Sequence, residues 1–430
     1  MAVANISCPP FALLSCFKKF FISRNSVFSV KVCESTCRLH ISSCYSCSIS
    51  VRRQYPASAQ PTSGLISYTA VTHPRKNKLF QSSPCRRDAD HVSSRYCSSW
   101  SSLQNSQSDP QVLTETYLSN LCDRIKKKLN TSIKPLREVS HYYFDGRGKY
   151  IRPMIVLLAA GACNKHTDNT SKILHSQEIV VMVSEMIHTA SLIHDDVIDG
   201  ANTRRGKISV NEKFGEKMSV LAGDYILSCA SKTLAQLGNA EVVELLAKVV
   251  DELIKGEFMQ LGSKENPDER FNHYLDKTYK KTASLVACCC RAVAVFGDCQ
   301  LEVQEIAYQY GRNIGMAFQI VDDILDFIAT DKEMGKPTAT DLHLGLATAP
   351  VLFACEQFPD LNALIMRRFK GPNDVEEARQ AVYKSDGIAR SYTLATQYTK
   401  EAVKQISKLS ASPQRDALIS ITHKVLQRRK

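Results

Sequence analysis

Apolar residues recur every three or four positions through most of the chain after about Thr114, which is the spacing of amphipathic helices. The longest clear run covers residues 171–199. Other runs predict helices over residues 153–163, 218–237, 240–261, 271–296 and 303–328, followed by three shorter ones that end near Gln427. No run alternates with period two for long, so strands are not expected. The predicted fold class is all-α.

Several of the predicted helices are apolar on more than one face. Residues 284–296, for example, are almost entirely apolar or small. A helix of this kind is buried on all sides, so we expect central helices that are surrounded by others. The predicted folded domain is one large helical bundle over residues 101–430.

The N-terminal segment has a different composition. Residues 1–87 contain twelve Lys or Arg and a single acidic residue, Glu34, so they carry +11 of the formal net charge of +12. The remaining residues sum to about +1, and no nucleic-acid partner is therefore expected for the folded domain. A basic, Ser-rich and acid-poor N-terminus is typical of an organellar transit peptide. We expect residues 1–100 to be such a peptide and a disordered linker.

Two clusters of three aspartates share one spacing, in which two adjacent residues are followed by a third three positions later. They are Asp195, Asp196 and Asp199, and Asp322, Asp323 and Asp326. On a helix the first and third lie on one face, one turn apart. Carboxylates so close repel one another unless a cation lies between them. Hard oxygen ligands suit Mg²⁺, which shares its coordination shell with phosphate oxygens, so the clusters predict a magnesium–diphosphate site.

Basic residues that would bind a diphosphate accompany both clusters. They are Lys149, Arg152, Arg204, Arg205, Lys281 and Lys336, with Thr282 next to Lys281. Lys149 and Arg152 lie three apart at the start of a predicted helix, where both can face one anion together with the helix N-terminus. Arg offers a fork that matches phosphate oxygens, while Lys supplies a compact charge. Taken alone, Arg204 and Arg205 are better explained as part of a solvated loop.

Over roughly residues 110–430 the chain resembles the long-chain trans-prenyl diphosphate synthases. Their motifs occur in the family's order: Gly-Lys-x-x-Arg-Pro at 148–153, Asp-Asp-Val-Ile-Asp at 195–199, Arg-Arg-Gly at 204–206, Lys-Thr at 281–282 and Gln-Ile-Val-Asp-Asp-x-x-Asp at 319–326. The resemblance implies a single helical bundle of the isoprenoid synthase type, with both aspartate clusters facing a central cavity. It also implies Mg²⁺-dependent successive condensation of isopentenyl diphosphate onto an allylic diphosphate, farnesyl or geranylgeranyl, to make a ubiquinone side-chain precursor.

The resemblance also implies a role for each matching residue. Isopentenyl diphosphate is expected to bind Lys149, Arg152, His188 and Arg205. The allylic diphosphate is expected to contact Arg204, Lys281, Thr282, Gln319 and Lys336. The expected Mg²⁺ ligands are Asp195, Asp199 and Asp322, supported directly or through water by Asp196, Asp323 and Asp326. The catalytic set within these is Asp195, Asp199, Arg204, Lys281 and Asp322. Without the resemblance, a satisfied core histidine would be the preferred interpretation of His188.

The sequence also indicates the product length and shows one departure from the family pattern. Ala190 and Ser191, upstream of Asp195, are small where short-chain relatives carry a bulky floor, so a long product is expected. Many relatives have a second lysine after the second aspartate cluster, and Leu346 takes its place here. That substitution puts the family's lid contacts in doubt.

Two other functions compete with a catalytic synthase. A class I terpene cyclase would carry an Asn/Ser/Glu-type second metal motif and would not need Lys149 and Arg152. A non-catalytic or regulatory subunit would have eroded aspartate clusters, whereas both are whole here. The resemblance further implies a homodimer or a hetero-oligomer with a second synthase subunit, and a mitochondrial location on the matrix side. No transmembrane span is expected, so any association with the inner membrane would be peripheral.

Overall fold

The computed structural model describes residues 108–262, 266–328 and 339–428, together with the backbone of residues 28–33 and 38–43. Residues 1–85 and 86–430 form separate units. In the first unit, strands β1 (Phe28–Cys33) and β2 (Arg38–Ser43) pair antiparallel, with Phe28 opposite Ser43. The predicted transit peptide and linker otherwise lie outside the described residues.

The described part of the second unit is helical, apart from turns, loops and one short hairpin. Its first half contains α1 (Pro110–Leu118), α2 (Leu121–Lys128), α3 (Lys134–His141), α4 (Ile151–Asp168), α5 (His175–Ile198), the hairpin of β3 (Thr203–Arg204) and β4 (Lys207–Ile208), α6 (Val210–Phe214), α7 (Glu216–Ala235) and α8 (Ala240–Leu261). Its second half contains α9 (Pro267–Thr278), a π-helical turn (Tyr279–Ala283), α10 (Ser284–Phe296), α11 (Leu301–Ile328), α12 (Thr340–His343), α13 (Ala349–Ala354), α14 (Leu361–Met366), α15 (Asp374–Lys384), α16 (Gly387–Ile406) and α17 (Pro413–Leu426).

The core lies around helices α4, α5, α10 and α11. Nearly every residue of α10 is buried, because α4, α5, α8 and α11 surround it. This explains why its sequence is apolar on all faces. Helix α11 also packs along α16, and α5 packs along α7. The long helices therefore hold the two aspartate segments on rigid supports.

The all-α prediction is confirmed, and so are the long helices of the first two thirds. One predicted helix, residues 271–296, differs in detail because a π-helical turn interrupts it at Tyr279–Ala283. The last third is more broken than the apolar spacing predicted, since six helices replace three between residues 340 and 426. Across the described ranges, no helix is both long enough and apolar enough to cross a bilayer.

Candidate functional site

The first aspartate cluster lies where α5 ends. Asp199 follows the last helical residue, and its backbone N–H donates to Asp195 O at 2.8 Å. Burial raises the pKa of Asp195 to about 7, while Lys281 lowers it and the carboxylates of Glu257 and Asp199 raise it further. The pKa of Asp199 is likewise raised by burial. The end of α5 therefore holds a half-buried carboxylate, Asp195, next to a more exposed one, Asp199, and too few cations lie beside them to offset both negative charges.

The remaining member of that cluster, Asp196, faces a different direction. Its side chain is fully buried, and Tyr143 donates its hydroxyl proton to Asp196 Oδ2 at 2.7 Å. Arg204 Nε donates to Asp196 Oδ1 at 2.8 Å. Both carboxylate oxygens thus have partners, and Asp196 fixes the β3–β4 hairpin against the end of α5.

Lys281 and Thr282 lie in the π-helical turn between α9 and α10. Lys281 Nζ lies 2.5 Å from Glu257 Oε1 and donates to Gln260 Oε1 at 3.1 Å. Thr282 Oγ1 donates to Gln319 Oε1 at 2.8 Å. Adjacent residues on a helix point in different directions, and π-helical turns are frequent at functional sites. The turn therefore serves both aspartate clusters, because Lys281 acts on Asp195 and Thr282 bonds to the segment that carries the second cluster.

The second cluster lies near the end of α11. Gln319 Nε2 donates to Asp323 Oδ1 at 2.9 Å, and Tyr274 Oη donates to Asp323 Oδ2 at 2.6 Å. Burial raises the pKa of Asp323 to about 6, against the lowering effect of these two hydrogen bonds. Asp326 accepts backbone N–H bonds from residues 340 and 341, so it anchors the start of α12.

Asp322 is the member of this cluster on which Arg428, Arg152 and Lys149 act. It lies 2.7 Å from Arg428 Nη1, just after α17. Burial raises the pKa of Asp322, while Arg428, Arg152 and Lys149 lower it. The Arg428 guanidinium also stacks 4.2 Å above the Phe318 ring. The second cluster is thus next to the cationic residues at the start of α4.

Arg152 and His188 form the centre of a cationic pocket, with Arg205 beside them and Lys149 on the side of Asp322. Arg152 Nη1 donates to His188 Nε2 at 3.1 Å, because a guanidinium has donors only and the imidazole nitrogen must accept. Burial lowers the pKa of His188 well below its usual value, and Arg152 and Arg205 lower it further. A neutral histidine therefore orients the arginine without competing for an anion.

The backbone is strained on both sides of this pocket. Tyr150 and Arg205 both adopt left-handed conformations, with φ of 47° and 52°. Such conformations are unfavourable for residues other than glycine and cluster at ligand sites. A Cβ on Gly148 would lie 3.2 Å from Arg205 Nη1, so glycine allows the loop before α4 to approach that guanidinium. Helix α4 begins at Ile151, so Lys149 lies before the helix rather than in its first turn.

Several residues of the site were not found from the sequence. They are Glu257, Gln260, Tyr274, Lys277, Asp341 and Arg428. Burial raises the pKa of Asp341, and the nearby Asp323 and Asp326 raise it further. Burial lowers the pKa of Lys277, whereas Asp323 and Asp341 raise it. For Glu257 and Gln260 the available signal was their position near the end of the mostly apolar helix α8, and for Arg428 there was none.

The other sequence predictions fall near the site or outside the described part. Ala190 is fully buried, and Ser191 Oγ donates to His188 O at 2.9 Å. Lys336 lies outside the described residues. Leu346 follows α12, where its backbone N–H donates to Asp341 O at 2.8 Å.

The donor set fits a hard divalent cation. Asp195, Asp199 and the nearby Glu257 offer carboxylate oxygens, which are hard donors. Within the described ranges, no three His, Cys, Asp or Glu side chains converge closely enough to hold an ion unaided. A cation here would therefore complete its shell with water and with ligand oxygens, which is how Mg²⁺ is commonly bound.

Comparisons with known proteins agree on one family. The sequence profile described as "Polyprenyl synthetase" matches residues 133–383, more than half of the chain. The chain is 56% identical to the Homo sapiens all trans-polyprenyl-diphosphate synthase PDSS1 over 322 residues, which is 75% of this chain and 78% of the relative. It is 41% identical to the Schizosaccharomyces pombe decaprenyl-diphosphate synthase subunit 1 over 343 residues, which is 74% of this chain and 91% of the relative.

A plant relative and a solved structure extend the comparison. The Oryza sativa mitochondrial solanesyl-diphosphate synthase 1 is 41% identical over 347 residues, covering 76% of this chain and 81% of the relative. The crystal structure of a Caulobacter crescentus polyprenyl synthase, complexed with calcium and isoprenyl diphosphate, superimposes with a TM-score of 0.67 at 27% identity. The match covers 75% of this chain and 97% of that one.

Proposed function

The chain belongs to the polyprenyl synthetase family, and we propose that it is the catalytic, Mg²⁺-dependent chain of a mitochondrial long-chain synthase. It is a prenyltransferase that acts on prenyl diphosphates. Its reaction is the successive condensation of isopentenyl diphosphate onto an allylic diphosphate, which gives a long all-trans-polyprenyl diphosphate, a precursor of the ubiquinone side chain.

Two separate anion sites carry the proposal. The cationic pocket of Lys149, Arg152, His188 and Arg205 supports binding of isopentenyl diphosphate, with Arg152 acting on Asp322 at its edge. The allylic diphosphate would lie between Asp195 and Asp322, against the π-helical turn. A cyclase acts on one diphosphate and has no use for the first pocket, so the pair of sites favours condensation.

The protein's own groups would act mainly on the leaving diphosphate. Lys281, Thr282, Gln319 and Arg204 surround its position, and Asp195, Asp199 and Asp322 would hold the metal. When bound, Mg²⁺ would neutralise charge that develops on the diphosphate oxygens. Lys281 would add a fixed positive charge as the allylic C–O bond breaks.

The cationic pocket would meanwhile hold isopentenyl diphosphate with its double bond towards the allylic carbon. The double bond supplies the electron pair of the new C–C bond, and a proton then passes to the departing diphosphate. Apolar residues of α5 and α10 would exclude water from the carbocation. Ala190 and Ser191 offer little side-chain bulk on α5, which supports a long product.

The reaction is tested by incubating the protein with farnesyl diphosphate, labelled isopentenyl diphosphate and Mg²⁺, alone and with a candidate second subunit. A long polyprenyl diphosphate is expected, and chelation of the metal by EDTA should abolish it. If product forms only when the second subunit is added to this chain, the chain belongs to a hetero-oligomer. The absence of any polyprenyl product in both mixtures would contradict the catalytic proposal.

The basic N-terminal segment and the mitochondrial relative from Oryza sativa support a mitochondrial location. Matrix localisation with peripheral membrane contact is proposed on the same basis. Fractionation of cells that express the full chain, followed by protease and carbonate treatment, tests both. Sedimentation of the protein outside mitochondria would contradict them.

An apolar surface on α7 and α8 supports oligomerisation. Leu221 on α7 is 52% exposed, and Phe258 on α8 is 71% exposed, with Val220, Ile254 and Leu261 around them. Replacing both Leu221 and Phe258 by Glu should convert an oligomer to single chains, because two charges would enter an apolar interface. Light scattering after gel filtration measures the mass. Leu301→Glu, at an exposed apolar residue elsewhere, serves as the control and should leave the mass unchanged.

A further inference from the structure

A buried carboxylate, Glu185, lies next to the cationic pocket and has no part in the condensation steps above. Its side chain is 3% exposed on α5, one helical turn before His188. Glu185 Oε1 lies 3.9 Å from Arg205 Nη2, which is too long for a hydrogen bond. No residue in the described ranges donates a hydrogen bond to this carboxylate. Its ionised form therefore depends on the charge of neighbouring groups.

The charged groups that act on Glu185 come from two elements, because Arg205 lies in the β3–β4 turn and Arg152 lies on α4. Glu185 in turn raises the pKa of Tyr150, which lies before α4 and whose hydroxyl contacts Cys122 Sγ of α2 at 2.9 Å. His188 lies on α5 itself and is neutral. Among the described residues of α7 and α10, no titratable group acts on Glu185. Two guanidiniums are thus the cations that keep it charged.

The same two guanidiniums are those that the proposed function assigns to a diphosphate. Burial raises the pKa of Glu185 to about 7, and Arg205 and Arg152 lower it. A diphosphate bound to these arginines would offset their positive charge and bring negative charge close to the carboxylate. Nearby negative charge disfavours an ionised carboxylate, so the pKa of Glu185 must rise when the pocket fills.

We propose that Glu185 takes up a proton from solution when the diphosphate of isopentenyl diphosphate binds to Arg152 and Arg205. The inference rests on the proposed function for the identity of the ligand. The proton adds to a Glu185 oxygen, and no bond of the ligand changes. When the elongated diphosphate leaves this pocket, Glu185 returns the proton to solvent, so each cycle of elongation carries one uptake and one release.

Because binding takes up a proton, the affinity for isopentenyl diphosphate should fall as pH rises. A carboxyl with a pKa near 7 is about half protonated at pH 7, so full protonation in the complex requires uptake of about half a proton per ligand. As pH rises above 7, uptake approaches one proton, and affinity falls by up to about tenfold per pH unit from this group. Ionisation of the ligand's own diphosphate also contributes to the number of protons exchanged on binding, but this contribution is the same for the wild type and every variant.

Calorimetric titration of isopentenyl diphosphate into the full chain, in EDTA and without divalent metal, tests the proposal. Repeating it at pH 7 in buffers with small and large heats of ionisation, such as Pipes and Tris, gives the number of protons taken up. Glu185→Gln should take up about half a proton fewer than the wild type. Glu178→Gln is the matched control and should behave as wild type. Glu178 lies on the same helix but outside the cationic pocket, and its carboxylate is 2.9 Å from the Arg124 guanidinium.

Equal proton uptake by wild type and Glu185→Gln would overturn the inference while leaving the proposed function intact. If the wild type neither binds isopentenyl diphosphate nor elongates a primer, the proposed function fails and the inference fails with it. An infrared difference spectrum of the wild type gives a second measurement that needs no variant. A protonated-carboxyl band should appear on binding, and its absence would also overturn the inference.

Discussion

Replacing Asp195 by Ala should lower kcat/KM for chain elongation by at least about 1,000-fold, with the fold intact. The carboxylate lies at the end of α5 beside Asp199, Glu257 and Lys281, where it is proposed to bind the metal. Loss of metal stabilisation of the leaving group corresponds to about 4 kcal/mol in the transition state, hence the expected factor. Steady-state kinetics with farnesyl diphosphate measures it.

The same substitution should leave the melting temperature unchanged or slightly higher. Burial and like charges disfavour the ionised form of Asp195, so its removal relieves repulsion. Asp251→Ala is the control, because Asp251 is an exposed carboxylate on α8 paired with Lys255, and it should keep full activity. Near-normal elongation by Asp195→Ala would refute the metal assignment.

Replacing Gly315 by Ala should damage both stability and turnover. A Cβ at this position of α11 would lie 2.6 Å from Ala283 Cα, at the last residue of the π-helical turn. Backbone cannot move away as a side-chain tip can, so the overpacking should lower the free energy of unfolding by about 1–3 kcal/mol. Displacement of Thr282 and Lys281 by about 1 Å should lower kcat/KM for the allylic substrate by about 100-fold.

Thermal unfolding and kinetics with each substrate varied separately measure these two effects. Gly262→Ala, at the end of α8, is the matched control, since a Cβ there would meet no atom of the described residues within 4 Å. It should change the unfolding free energy by less than about 0.5 kcal/mol. If Gly315→Ala kept wild-type stability and kinetics, the contact between α11 and the π-helical turn would not support the site.

The helical fold could be predicted because burial leaves a periodic pattern. Residues 284–296 are apolar on every face because α10 is surrounded by helices, and the spacing of 303–328 follows the buried face of α11. The ends of the six helices after residue 339 could not be predicted in the same way. In them, turn geometry and contacts between distant segments decide where each helix ends.

The site residues could be predicted from the sequence where a motif repeats. They could not be predicted where a residue's partners come from distant parts of the chain. Helical spacing sets Asp196 apart from Asp195 and Asp199, but it does not reveal that the buried Asp196 bonds to Tyr143, 53 residues earlier. Glu257, which contacts Lys281, is an ordinary helical glutamate in the sequence. Arg428 reaches Asp322 through the packing of α17, which no local pattern encodes.

The π-helical turn has a consequence for how this site can vary in evolution. An α-helix rotates by about 100° per residue, and a π-helical turn holds an extra residue within an otherwise regular helix. Deleting any one residue from Tyr279–Ala283 would let α9 and α10 join as one plain helix. Either Lys281 or Thr282 would then rotate away from its partner. A single codon therefore separates the proposed arrangement of Lys281 and Thr282 from a plain helix, and gaps in this short segment should mark descendants that have lost the activity.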